Sequence, residues 1–147
     1  MVFDILNDVA GHNELAGSGE VLTIRQKTDG PIGLGSIWEA DERLVIGGEA
    51  MEFTATSVVV SHDAPNTISW IPSPPFPTKR IQWRYHLSPE GAGTKVVQEV
   101  EVDLGEPEDS MLQALKANYV SMRGNDVAAG LEKTLTNLKQ AAERRVQ

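Results

Sequence analysis

No cysteine occurs anywhere in the 147 residues. That excludes disulfides, thiolate metal sites and cysteine nucleophiles, and it is compatible with a reducing compartment. Long apolar runs are missing too. The longest are a few residues, such as Val58-Val59-Val60, where a membrane-spanning helix needs about 20. No basic segment followed by an apolar stretch opens the chain, so no signal peptide is read and a cytoplasmic protein is expected. Basic residues are scarce, 13 against 21 acidic ones, for a formal net charge of -8. A field of that sign repels phosphate backbones unless basic residues cluster, and only Lys79-Arg80 and Arg144-Arg145 are adjacent basic pairs. Neither nucleic acid nor an anionic membrane surface is an expected partner.

Phosphate and metal chemistry also lack their patterns. Gly30-Pro31-Ile32-Gly33-Leu34-Gly35 has neither the Lys-Ser/Thr of a phosphate loop nor dinucleotide spacing, and it reads as a tight turn. His12, His62 and His86 offer no pair four apart on a helix. No metal and no cofactor are expected. Serines 57, 61, 69 and 73 lack a nucleophile-elbow context. The carboxylates read as solvated faces, with Glu99, Glu101 and Asp103 alternating outward on one segment and no converging pair in view.

What is present is mostly strand-like alternation. Residues 2–9 have the spacing of a short helix, and a further helical turn fits near His12–Ala16. Six extended segments follow, at Glu20–Lys27, Ser36–Leu44, Ala50–His62, Thr67–Ile71, Lys79–Leu87 and Thr94–Leu104, separated by turn residues. The proline-rich run Pro72–Pro77 is expected to stay out of any ladder, because proline has no N–H to give. After Pro107 the apolar period lengthens to about 3.6, with Met111, Leu112, Leu115, Tyr119 and Met122, then Leu131, Leu135 and Leu138. Asp109 or Ser110 suits its N-cap. Gly124 and Gly130 lie inside it, each weakening a helix by about 1 kcal/mol, so a kink is expected there. The pattern implies an α+β domain over residues 1–147, an antiparallel sheet covered by one long helix.

Only 5% of the chain is aromatic, yet Trp38, Trp70, Trp83, Tyr85 and Tyr119 fall on the apolar sides of their segments. Core packing accounts for aromatics of this kind as readily as a ligand wall does. Met111 and Met122 add adaptable surface. Gln98 and Asn118 are the polar groups expected inside.

Three stretches carry a resemblance. They are Val2-Phe3-Asp4-Ile5-Leu6-Asn7-Asp8-Val9, then Ile81-Gln82-Trp83-Arg84-Tyr85-His86-Leu87-Ser88-Pro89 with Gly93-Thr94-Lys95-Val96, and Gly130 through Lys139. In these the chain resembles the SRPBCC superfamily of START, polyketide cyclase/dehydrase and birch-allergen relatives, and more closely its bacterial polyketide cyclase/dehydrase-type members. The resemblance implies a helix-grip fold, a curved antiparallel sheet of about six strands around the C-terminal helix. It also implies a cavity for a small hydrophobic or amphipathic molecule such as a lipid, polyketide or quinone. The expected walls are Trp38, Trp70, Trp83, Tyr85, Met111, Leu115, Asn118, Tyr119 and Met122, with Phe76 at the rim. A cyclase/dehydratase-like enzyme, with Tyr85, Tyr119 or Arg84 moving protons or holding an oxyanion, is the alternative, and a protein-binding or chaperone-like module the second. Relatives open with a strand that this chain lacks. Thr94–Leu104 is therefore expected to form an unpaired edge, explained by a start downstream of the true one or by a homodimer pairing along that edge.

Overall fold

The computed structural model describes the chain apart from Gly47, Phe76, Pro77, Pro107 and Asp109 and the side chains of Met111, Leu112, Leu115 and Val120. The order is α1 (Val2–Asn7), a 3-10 turn (Val9–Gly11), α2 (His12–Leu15), six strands and a final helix. The strands are β1 (Val21–Gln26), β2 (Ile37–Ile46), β3 (Glu49–Asp63), β4 (Thr67–Ser73), β5 (Arg80–Glu90) and β6 (Gly93–Asp103). They form one antiparallel sheet in sequence order, as hairpin spacing dictates. Among the described residues β6 pairs only with β5, so the expected free edge is present, and β1 likewise pairs only with β2.

One proline behaves differently from the expectation. β4 runs through Ser73, and Pro72 lies in register with Ser57 of β3. The reason is local: β5 pairs with β4 only over Thr67–Trp70, which leaves one side of β4 free at Pro72, where a missing N–H costs nothing.

The last helix, α3 (Ser110–Arg144), runs 35 residues, about 52 Å at 1.5 Å per residue. It is continuous through Gly124 and Gly130. Gly17, in the loop before β1, packs against it at Gly130. A Cβ built on Gly17 would lie 2.5 Å from the Gly130 carbonyl oxygen and 2.6 Å from the Thr134 nitrogen, so loop and helix backbones touch. The Gly17 N–H donates to Thr134 Oγ1 at 2.8 Å, and Thr134 Oγ1 donates to the Gly130 carbonyl at 2.7 Å. Asn137 Nδ2 adds a bond to the Leu15 carbonyl at 3.1 Å.

The packed core gathers at one end. Phe3, Leu6 and Val9 from the N-terminal turns meet Trp38, Val59, Ile68, Tyr85 and Leu87 from the sheet and Leu138 from α3. The middle of α3, from Tyr119 to Thr134, spans a part of the sheet where the space is not filled.

Candidate ligand-binding cavity

That unfilled space is a cavity of about 330 Å³ between the concave face of the sheet and α3. If it were dry and empty it would cost on the order of 8 kcal/mol, comparable to the whole stability of a small protein. Strand alternation builds the wall. On β2, residues 38, 40, 42, 44 and 46 all line the cavity, and on β5 residues 81, 83 and 85 do.

Of the expected wall residues, Trp38, Trp70, Trp83, Tyr85, Tyr119 and Met122 line the cavity. Phe76 lies outside the described residues, as do the side chains of Met111 and Leu115. Asn118 does not line it. Its side chain is exposed and Nδ2 donates to the Ala114 carbonyl at 2.7 Å. One residue along a helix turns the side chain by about 100°, which takes Asn118 off the stripe that carries Tyr119.

The deep end is aromatic. Trp38 and Trp70 meet edge-on at 5.4 Å between ring centroids, and Trp70 stacks on Tyr85 at 5.8 Å. His12 packs against Trp70 at 5.5 Å and its Nε2 donates to the Leu6 carbonyl at 2.6 Å. A carbonyl can only accept, so Nε2 carries the proton and Nδ1 keeps its lone pair. Burial pushes the His12 pKa below its ordinary value and keeps the ring neutral. Gln98 Nε2 donates to the Tyr85 hydroxyl at 2.8 Å, while Gln98 Oε1 is buried with no partner among the described residues. Burial raises the Tyr85 pKa well above the usual phenol range, which makes that hydroxyl a poor acid. Arg84 points away from the cavity and pairs with Glu99 at 3.7 Å. Of the three residues expected to move protons or hold an oxyanion, Tyr85 and Tyr119 line the cavity and Arg84 does not.

The expectation that every carboxylate faces solvent is overturned. Glu20, Glu42 and Asp126 line the cavity together with Arg123. Arg123 is 7% exposed and holds Glu20 through two bonds, at 2.7 and 3.0 Å. Tyr119 is a further hydrogen-bonding partner of Arg123. Glu42 has no hydrogen bond or ion pair among the described residues. Burial first, and the charge of Glu20 second, push its pKa up to about 7. The signal was in the sequence: Glu42 stands in phase with Trp38, Ala40 and Leu44, two residues from its neighbours. Among the described residues, no three His, Asp or Glu side chains are grouped to hold a metal ion.

No protein-family model matches the sequence, and no curated protein matches it. Solved structures do. The Zhui aromatase/cyclase from Streptomyces sp. R1128 aligns with a TM-score of 0.67 at 15% identity, over 99% of this chain and 87% of that one. A protein from Thermus thermophilus gives 0.61 at 17% identity, over 95% and 88%. Major latex-like protein 151 from Panax ginseng gives 0.61 at 10% identity, over 95% and 85%. At these identities the likeness is one of fold.

Proposed function

We propose that this helix-grip chain binds a small hydrophobic or amphipathic molecule between its sheet and its C-terminal helix. The observation that carries the reading is the 330 Å³ cavity lined largely by tryptophan, tyrosine and aliphatic side chains, beside a packed core that shares Trp38 and Tyr85 with it. Ligand cavities are of this size and character. An uncharged fluorescent probe is expected to bind with micromolar affinity, about -8 kcal/mol. Replacing Trp83 by alanine, which removes wall without touching the packed end, is expected to weaken it. Failure of apolar probes to bind at any practical concentration would sink the reading.

A second reading is an aromatase/cyclase-like reaction in the same cavity. It draws on the resemblance in fold to the Zhui enzyme and on the ionisable Glu42 and neutral His12 in the wall. Both side chains have proton-accepting atoms at ordinary pH. The test is turnover of a poly-β-ketone substrate by the purified chain and its loss in Glu42→Gln. No helix is long and apolar enough to cross a membrane among the described residues. We place the chain in the cytoplasm, and we read the free edge of β6 as the place where a second copy would pair.

A further inference from the structure

The cavity is polar at one place. Glu42, at the middle of β2, lies opposite Val21 of β1 and Phe53 of β3 in the sheet, and neither side chain brings a donor or a charge to it. The charged groups around it are Glu20 at the head of β1 and Arg123 and Asp126 of α3. Arg43, its neighbour along β2, does not line the cavity. The Arg123 guanidinium is already committed to Glu20 by two bonds, and Asp126 stands 3.9 Å from it. Arg123 is thus shared by Glu20 and Asp126, and Glu42 is left with neither a donor nor an ion-pair partner among the described residues. A ligand carboxylate or phosphate brought to this place would meet like charge and a cation already paired. An ammonium would bring three donors and the missing positive charge.

The apolar part of the cavity sets the rest of the ligand. The apolar wall runs from Glu42 on β2 across β3 and β4 to Trp83 on β5. Ser18, Glu20, Arg123, Asp126 and Gly130 also line an outer groove of about 520 Å³, so the acidic part of the cavity adjoins the surface.

Resting on the reading of the cavity as a binding site, we propose that its ligand is a lipophilic amine, an apolar body whose ammonium sits against the carboxylate of Glu42. In the free chain that carboxyl gives up its proton near pH 7, so capture of the amine strengthens as pH rises through neutrality. An alkylamine nitrogen, like that of lysine at about 10.4, stays protonated across this range.

The experiment is displacement of the uncharged probe by decylamine, decanol and decanoate at about 0.15 M salt, where the overall negative charge is screened beyond about 8 Å. The expected order is amine, then alcohol, then acid, with the amine at least about tenfold tighter than the acid. Amine affinity is expected to rise roughly tenfold from pH 6 to pH 8, following the ionised fraction of Glu42. In Glu42→Gln, which keeps the side-chain shape, both the preference and the pH dependence should vanish. Decanoate competing as well as decylamine overturns the proposal while leaving the cavity reading intact, and so does a Glu42→Gln variant that keeps the amine preference. If no compound and no probe binds, both fall. The headgroup series on the unaltered chain decides the matter even if the variant folds poorly.

Discussion

At one end of the sheet Leu6 and Ile68 are wholly buried and Val59 is 1% exposed, with α1 and Leu138 of α3 closing over them. Elsewhere on the sheet, Leu44 and Ile46 of β2, Met51 and Phe53 of β3 and Ile81 of β5 face a cavity under the middle of the same helix. The strands and the helix are shared, so the difference comes from what is inserted between them. The N-terminal turns supply Phe3, Ile5, Leu6 and Val9 as filler at the packed end, and no described element does so at the other. Stability and binding are thus expected to reside in different halves of one sheet.

The largest effect that tests this division is Leu6→Ala, expected to lower stability by about 3–4 kcal/mol in denaturant unfolding, because both burial and packing are lost. Met122→Ala, at a cavity residue already 39% exposed, should cost under about 1 kcal/mol. Equal losses at the two sites would erase the contrast. Next comes Arg123→Met, expected to cost about 2–3 kcal/mol by leaving Glu20 half-buried, unpaired and beside Glu42. Gly17→Ala should cost about 2 kcal/mol, since a Cβ there meets helix backbone that cannot yield.

The smallest effect has the opposite sign. Glu42 titrates near 7 when folded against an ordinary value of 4.5. Between those values the folded chain holds a proton that the unfolded chain has released, so stability falls as pH rises through that window. Glu42→Gln removes this penalty. It should match the parent near pH 4 and be more stable at pH 8 by about 1–2 kcal/mol, after allowing for the partly solvated site. Melting curves at the two pH values check it.

The immediate neighbour on β2 sharpens the contrast between the two faces of the strand. Asp41 points outward and accepts from Thr23 Oγ1 at 2.7 Å, Arg25 at 2.6 and 3.1 Å and Thr54 Oγ1 at 2.7 Å. These donors hold its pKa well below the usual carboxylate range. Two adjacent carboxyl groups of one strand are driven in opposite directions by the side of the sheet they face.

Much of this arrangement was legible in the sequence. Alternation placed Trp38, Trp83 and Tyr85 on the cavity side because a strand has only two faces, and the helical stripe did the same for Tyr119 and Met122. Glu42 was passed over because a carboxylate on a strand is ordinarily a solvent-facing residue, and the phase that contradicts this was outweighed by residue type. The Glu20–Arg123 pair joins positions 103 apart in sequence, and no local pattern reports a contact of that span. Gln82, which alternates with Trp83 along β5, is 7% exposed, receives a bond from Arg80 and donates to Ser69 Oγ at 3.3 Å. Burial of that kind depends on neighbouring strands and not on its own.

The close approach of Gly17 to Gly130 makes α3 a beam. It is clamped where the two backbones touch, tied by Arg123 to Glu20, and held again nearer its start by Lys116, whose ammonium bonds the Gly105 carbonyl and Glu106. The cavity lies under the span from Tyr119 to Thr134, about 22 Å at 1.5 Å per residue. The roof is thus supported on both sides of its load, and widening it for a guest means releasing one of these ties.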